Sequence, residues 1–159
     1  MIDWVSLFTA TAVVDFLVIV LSKFVSLTKA LNTWYRDFGV VAVGSDILII
    51  VLGIALAKLL FPLATGWKLV GIAVVIQLIH DVLFYVGIIQ GLPAGHNKII
   101  DLFKQYAGEG SWQILLADAA MVTGSVLLME WYSDNLTSDQ TAFIGVLAVY
   151  ALLYIIYTK

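Results

Sequence analysis

Five apolar stretches, each long enough to cross a lipid bilayer, take up most of this 159-residue sequence. A helix that spans the hydrocarbon needs about 20 apolar residues, and it satisfies its own backbone hydrogen bonds there. The stretches lie at about residues 4–23, 39–61, 68–90, 112–131 and 141–158. The sequence therefore predicts an all-α integral membrane protein, a five-transmembrane-helix bundle in which residues 1–159 form a single membrane domain.

The composition disfavours several other classes of protein. Hydrophobic residues make up 62% of the chain and charged residues 12%, which is about half the charged share of a soluble domain. The absence of cysteine excludes disulfides and thiolate metal sites, and the net charge of −3 without a basic block disfavours nucleic acid as a partner. We therefore expect membrane lipids to be the main surroundings of the chain.

Tryptophan and basic residues indicate the span edges and the orientation. An amphipathic indole prefers the headgroup level, and basic residues favour the cytoplasmic side of a membrane. All five tryptophans fall at predicted span edges: Trp4, Trp34, Trp67, Trp112 and Trp131. Six of the eight basic residues flank the first loop, the third loop or the C-terminus. We therefore predict that the N-terminus is outside or lumenal and that the C-terminus is cytoplasmic.

The two long loops on the predicted cytoplasmic side differ in pattern. In the third loop, residues 97–107 place Ile99, Ile100 and Phe103 on one helical face and charged residues on the other. This pattern predicts a short cytoplasmic amphipathic helix that lies on the membrane surface or covers the end of the bundle. The first loop, residues 24–38, is longer than a turn requires, and its mixture of side chains suits the interface.

Four of the five stretches carry an aspartate in their interior: Asp15, Asp46, Asp81 and Asp118. A charged carboxylate in hydrocarbon costs about 3 kcal/mol even on the lenient insertion scales, so we expect these groups to face inward. At ~1.5 Å rise per residue, Asp15 and Asp81 lie near the middle of their spans and the other two lie about 10 Å from the cytoplasmic edge. Adjacent helices therefore bring the four carboxyls to similar depths, and we predict one polar centre.

Further polar residues share helix faces with these aspartates or adjoin them. Residues three, four or seven positions apart lie on the same face, which gives the predicted second shell: Thr11, Gln77, Tyr85 and Ser125. His80 adjoins Asp81 and has a reference pKa near physiological pH, so it is a candidate proton relay. Clustered carboxylates can also hold a cation, with Ca²⁺, Mg²⁺ or Mn²⁺ preferred by oxygen ligands and a transition metal admitted by His80.

The sequence leaves two main functional hypotheses open. In the first, the Asp/His centre binds or conducts protons or small cations, with a homo-oligomer expected because five spans make a thin bundle. In the second, the protein is a non-catalytic scaffold of a cellular or virion membrane, and the aspartates only fix helix packing through hydrogen bonds. A lipid-modifying enzyme is disfavoured, because the chain contains no HExxH or GxSxG motif and shows no nucleophile–base pair.

Overall fold

The computed structural model describes residues 2–25, 29–109 and 111–158, which form helices and connecting turns without a strand. Five helices are long: α1 (Trp4–Val25), α3 (Val40–Leu60), α4 (Gly66–Phe84), α6 (Ser111–Asn135) and α7 (Ser138–Ile155). A π-helical segment, Tyr85–Ile89, extends α4. Two helices are short: α2 (Lys29–Phe38) and α5 (Lys98–Glu109).

The prediction of an all-α chain with five helices long and apolar enough to cross a membrane is confirmed. The helix ends differ from the hydropathy estimate by a few residues because capping residues are polar. α7, for example, begins at Ser138, ahead of the apolar run that starts near residue 141. A capping box explains this early start, since the Thr137 hydroxyl accepts from the Gln140 backbone N–H and the Gln140 side-chain oxygen Oε1 accepts from the Thr137 backbone N–H.

The first loop, which was predicted only as a segment suited to the interface, contains the helix α2. Trp34 and Phe38 lie four residues apart, so they share one helical face with each other, and Trp34 and Tyr35 are both buried. Arg36 and Asp37 lie on the exposed side and pair with each other. Gly39 alone separates α2 from α3, with a φ of +49° that few other residues adopt. The bundle therefore carries two short amphipathic helices, and the prediction of a single one was incomplete.

Both short helices lie at one end of the bundle, which we call the α2/α5 end. α2 follows the first long helix and α5 follows the third, and the C-terminal end of α7 reaches the same place. There the Lys23 ammonium donates to the carbonyls of Ile156 and Thr158, which ties the end of α1 to the end of α7. At the opposite end, called the far end, the Glu130 carboxylate accepts from the Gly66 N–H and fastens the start of α4 to α6.

Helix α1 is the central element, because it packs against α3, α6 and α7. Glycines allow two of these close approaches. A Cβ at Gly145 of α7 would lie 2.5 Å from Thr9 Oγ1, and a Cβ at Gly124 of α6 would lie 3.3 Å from a methyl group of Val14. Thr9 also donates to the Thr141 carbonyl at 3.1 Å. Small residues and interhelical hydrogen bonds are the usual means of tight packing between apolar helices.

The apolar core has two parts, one towards each end of the bundle. The far-end part joins α1, α3, α4 and α6 around Leu7, Ile54, Leu69 and Val126. The other part joins α1, α2, α3, α5 and α7 around Ile19, Val43, Leu102 and Leu152. The four aspartates lie at the levels between these two parts.

Candidate functional site

Asp15 of α1 is fully buried, and its partner comes from α2. The Tyr35 hydroxyl, which is itself buried, donates to Asp15 Oδ1 at 2.9 Å. The second carboxyl oxygen, Oδ2, is buried without a hydrogen-bond partner among the described residues. A short surface helix therefore supplies the donor for the most deeply buried carboxyl of the bundle.

Asp46 of α3 is held by the residue next to Tyr35. The Trp34 Nε1–H donates to both carboxyl oxygens of Asp46, at 3.1 Å and 3.0 Å. Tyr35 is close enough to Asp46 to interact with that carboxyl as well. Two consecutive aromatic residues of α2 thus connect the carboxyls of two long helices.

Asp81 of α4 takes its partners from its own helix. Gln77 Nε2 donates to Asp81 Oδ1 at 2.8 Å, and His80 Nδ1 lies 3.1 Å from the same oxygen. The exposed fraction of the side chain is 42% for His80 and 20% for Asp81, whereas Gln77 is buried. The imidazole also stacks on Phe84, with 5.7 Å between ring centroids. This pair is the part of the polar centre that reaches the protein surface.

Asp118 of α6 lies between the other groups. Its carboxyl has no hydrogen-bond partner in the described part of the chain, and it is close enough to Asp81 and Asp46 to interact with both electrostatically. Asp46 interacts in the same way with Asp15. Electrostatic interactions therefore link the four carboxyls in the order Asp81, Asp118, Asp46 and Asp15, and we call this set the carboxyl series.

Three aromatic rings from different helices pack together at the α2/α5 end, next to this series. Trp34 packs against Phe103 of α5 with ring centroids 5.1 Å apart, and Phe103 meets Phe84 of α4 edge-on at 6.2 Å. We call these three rings the aromatic floor. Because Trp34 also donates to Asp46, these ring contacts place α2 and α5 next to the Asp46 end of the series, which the two short helices cover.

The predicted second shell is only partly present. Gln77 contacts Asp81, as its spacing predicts. Thr11 instead donates to the Leu7 carbonyl of its own helix at 2.9 Å. The Tyr85 side chain is exposed and has no hydrogen bond to another described residue, and Ser125 is buried with an unpartnered hydroxyl. Of these four residues, Gln77 therefore forms a hydrogen bond with an aspartate of the centre.

Sequence reasoning missed the two residues that hold Asp15 and Asp46. Trp34 was assigned to a span edge and Tyr35 to an interfacial loop, but both side chains turn inward. The available signal was the aromatic spacing of Trp34 and Phe38 in a loop longer than a turn needs. The exposed Trp4, Trp67 and Trp131 do fit positions at span edges, while the Trp112 side chain lies outside the described residues.

The positions and hydrogen bonds of the buried oxygens indicate what the polar centre can bind. Among the described residues, no group of three or more histidine, aspartate or glutamate side chains could hold a metal ion. Several oxygens of the centre are instead buried without a partner: Asp15 Oδ2, Gln77 Oε1, Asp81 Oδ2 and Ser125 Oγ. Each such oxygen costs about 1–3 kcal/mol unless a proton or a water satisfies it. The described oxygens are therefore separate hydrogen-bond sites, each able to take a proton or a water, rather than a cluster of metal ligands.

No protein-family model, curated protein or solved structure matches this chain. The function is therefore inferred from the geometry of the carboxyl series alone.

Proposed function

We propose that this is an integral membrane protein whose polar centre binds protons and passes them along the carboxyl series. The observation that carries the proposal is the gradient of burial along interacting groups. It begins at the partly exposed His80, continues through Asp81 and Asp118, and ends at the fully buried Asp15. Carboxyls that only fixed helix packing would not need to interact with one another from the surface to the core.

The residues suit successive steps of proton transfer. His80 Nδ1 lies 3.1 Å from Asp81 Oδ1, so the imidazole and the carboxyl can exchange a proton directly. Asp118 makes no direct hydrogen bond, so transfer to and from it requires a bridging water. The Tyr35 hydroxyl, which both donates and accepts, joins Asp46 to Asp15 at the buried end.

Protons fit the centre better than a multivalent cation. A Ca²⁺ ion takes six to eight oxygen ligands and Mg²⁺ demands near-ideal octahedral geometry, whereas the described carboxyls lie in a series rather than around one point. A proton needs only a chain of donors and acceptors. The basic residues near the α2/α5 end support its placement on the cytoplasmic side, with the N-terminus outside.

Proton flux into liposomes tests the proposal. The purified protein, reconstituted with a trapped pH dye, should dissipate an imposed pH gradient faster than empty liposomes. Asp118→Asn should abolish this flux, because the amide has nearly the same size but cannot ionise. Asp139→Asn is the matched control, since it removes the same charge from an exposed position at the start of α7 and should leave the flux unchanged.

Two outcomes would contradict proton transfer. One is a folded wild type that carries no flux under a pH gradient or a membrane potential. The other is an Asp118→Asn variant that conducts as well as the wild type. Because Asp118 has no hydrogen-bond partner among the described residues, its replacement by asparagine should not unfold the protein, and a loss of flux can be assigned to chemistry.

A structural role without turnover is the second candidate. It is favoured by the donors that engage three of the carboxyls: Tyr35 on Asp15, Trp34 on Asp46, and Gln77 on Asp81. In that case the aspartates fix the register of the helices, and the exposed loops carry contacts to other proteins. Absence of flux together with a strong loss of stability in Asp15→Asn would support this role over proton transfer.

A further inference from the structure

The side-chain amide of Gln77 on α4 is only half satisfied by the protein. Its Nε2 donates to Asp81 Oδ1 at 2.8 Å, but its carbonyl oxygen Oε1 is buried without a hydrogen-bond partner among the described residues. The side chain as a whole is 4% exposed, so this oxygen does not reach the surface. Buried polar atoms in native proteins are nearly always bonded to protein or to an ordered water. The Gln77 oxygen therefore indicates a bound donor.

The Asp81 carboxyl contributes a second acceptor at the same place. Its Oδ1 takes the contacts to Gln77 and His80, whereas Oδ2 is buried without a partner in the described part of the chain. An ionised carboxyl oxygen and an amide oxygen are both acceptors, so these two atoms cannot bond to each other. A donor with two hydrogens, placed beside the 2.8 Å bond that joins the two groups, can satisfy both. Water is the smallest such donor.

A glycine of α3 leaves room for this water. Gly53 faces Gln77 where α3 packs against α4. A Cβ at Gly53 would lie 3.6 Å from Gln77 Oε1, which is the only atom of the described residues within 4 Å outside the local backbone of α3. We call this space the Gly53 notch. Asp46 precedes Gly53 by seven residues, so the notch lies on the face of α3 that carries the carboxyl series.

We infer that Gln77 Oε1 and Asp81 Oδ2 bind one water molecule in the Gly53 notch, and that this water is the bridge between Asp118 and Asp81. The second part rests on the proposed function, in which Asp118 exchanges protons through a water. Asp118 lies close enough to Asp81 to interact with it electrostatically. Gln77 is then a positioning residue, because it accepts one hydrogen of the water and directs the other at the Asp81 carboxyl.

The transfer through this water balances in protons and in charge. A protonated Asp118 gives its proton to the water oxygen, while the water gives the hydrogen that faces Oδ2 to Asp81. One O–H bond breaks on Asp118 and one forms on Asp81, and the water is neutral before and after the step. The hydrogen bonded to Gln77 does not move, so the amide keeps the water in place throughout.

Gly53→Ala tests the site by filling the notch. The added methyl group would lie 3.6 Å from Gln77 Oε1, an ordinary van der Waals contact, so the variant should fold while the water loses its place. Proton flux into liposomes should fall about tenfold, because the path then contains an unsatisfied buried oxygen and no bridge. Thermal unfolding in detergent confirms that the variant is folded.

Gly44→Ala is the matched control on the same helix. A Cβ at Gly44 would meet no atom of the described residues within 4 Å, so the methyl group adds the same volume without entering the notch. Proton flux should equal that of the wild type. Equal losses of flux in the two glycine variants, or an unchanged flux in Gly53→Ala, would overturn the inference.

Water-edited solid-state NMR in lipid bilayers tests the water without any flux. Magnetisation that starts on water should reach the isotope-labelled side-chain amide of Gln77 in the wild type and in Gly44→Ala, and it should not reach it in Gly53→Ala. Gln105, at an exposed position on α5, should receive magnetisation in all three proteins. A wild-type Gln77 amide that receives none would overturn the inference, whatever the variants do.

The two measurements separate this inference from the proposed function. Magnetisation transfer to Gln77 in a wild type that carries no flux would keep the water site and reject proton transfer, together with the role of the bridge. Wild-type flux that persists in Gly53→Ala, without magnetisation transfer to Gln77, would keep proton transfer and reject the water site.

Discussion

Tyr35 connects a surface helix to the most deeply buried carboxyl of the molecule. Tyr35→Phe removes only the hydroxyl that donates to Asp15 at 2.9 Å and leaves that carboxyl without a partner. We expect the free energy of unfolding to fall by about 1–3 kcal/mol, the cost of an unsatisfied buried polar group. The measurement is denaturant or thermal unfolding in detergent.

Tyr85→Phe is the control for that measurement. The Tyr85 side chain is exposed and has no hydrogen bond to another described residue, so the loss of its hydroxyl should leave the unfolding midpoint unchanged. If the two variants unfold together, the Tyr35 hydroxyl does not stabilise the buried carboxyl.

Asp3 gives the bundle a defined acid sensitivity at its far end. The Ser6 hydroxyl donates to Asp3 at 2.7 Å and the Ser133 hydroxyl at 3.0 Å, and these bonds hold the pKa of the Asp3 carboxyl below its ordinary value. A carboxyl with a lowered pKa in the folded state contributes stability above its unfolded pKa. That contribution is lost as the pH falls through the folded pKa.

The expected outcome is a pH-dependent difference between wild type and Asp3→Asn. The wild type should unfold at the higher temperature at neutral pH, and the two proteins should converge in acid, below the ordinary aspartate range. Melting curves over a pH series measure the difference. A gap that stays constant from neutral to strongly acidic pH would contradict the assigned role of the Asp3 carboxylate.

Residue spacing predicted contacts within one helix better than contacts between helices. Gln77 and Asp81 are four residues apart on α4, and they do form a hydrogen bond. Thr11 and Asp15 have the same spacing, yet the Thr11 hydroxyl donates to its own backbone, a common alternative for threonine in a helix. The partner of Asp15 is 20 residues away on another helix, and helical periodicity contains no information about such a pair.

At the scale of helices, the contact between α1 and α7 depends on a glycine, Gly145, which has no side chain. A methyl group at Gly145 would lie 2.5 Å from Thr9 Oγ1, so Gly145→Ala forces Thr9 to rotate and to lose its bond to the Thr141 carbonyl. We expect a loss of about 1–3 kcal/mol in stability, as for other overpacked contacts. Thermal unfolding in detergent measures it.

Gly71→Ala is the matched control for the α1–α7 contact. Gly71 lies inside α4, and a Cβ there would meet no atom within 4 Å. Alanine should therefore be neutral or slightly stabilising, because it favours the helix over glycine. Equal effects of the two substitutions would show that the α1–α7 contact tolerates a methyl group.

The attachment of α2 to the bundle depends on Trp34. Trp34→Phe keeps an aromatic ring in the floor but removes the N–H that donates to both oxygens of Asp46. We expect faster amide hydrogen exchange throughout α2 and unchanged exchange in the middle of α7. Trp131→Phe, at an exposed position on α6, should leave α2 protected. Unchanged exchange in α2 would mean that its apolar face alone holds it in place.

Helix α2 also shows which kind of element hydropathy cannot predict. Hydropathy over about 20 residues identifies long apolar helices, because burial in lipid requires that length. A helix as short as Lys29–Phe38 falls below that window, and its stability comes from tertiary contacts of Trp34 and Tyr35. The polar centre was predicted from its carboxyls alone. The donors that hold two of these carboxyls are aromatic residues of α2, so a search for buried acidic residues could not find them.

For the whole molecule, the two ends of the bundle should face opposite sides of a membrane. Single cysteines at exposed positions report this directly, because the chain has none of its own. Asp134→Cys marks the far end and Gln105→Cys the α2/α5 end. In intact cells, an impermeant maleimide should label Asp134→Cys only, and Gln105→Cys should react after the membrane is opened. Labelling of both from outside would contradict a membrane-spanning bundle.

The central position of α1 has a consequence for biosynthesis. Among the described helices α1 is made before the others, whereas its principal neighbours, α6 and α7, are made after them. Tyr35 is made soon after Asp15, but the helices that surround α1 in the finished bundle are still absent at that stage. We therefore expect a chain that ends before residue 111 to leave the Asp15 carboxyl incompletely buried and to be degraded faster in a membrane than the full sequence.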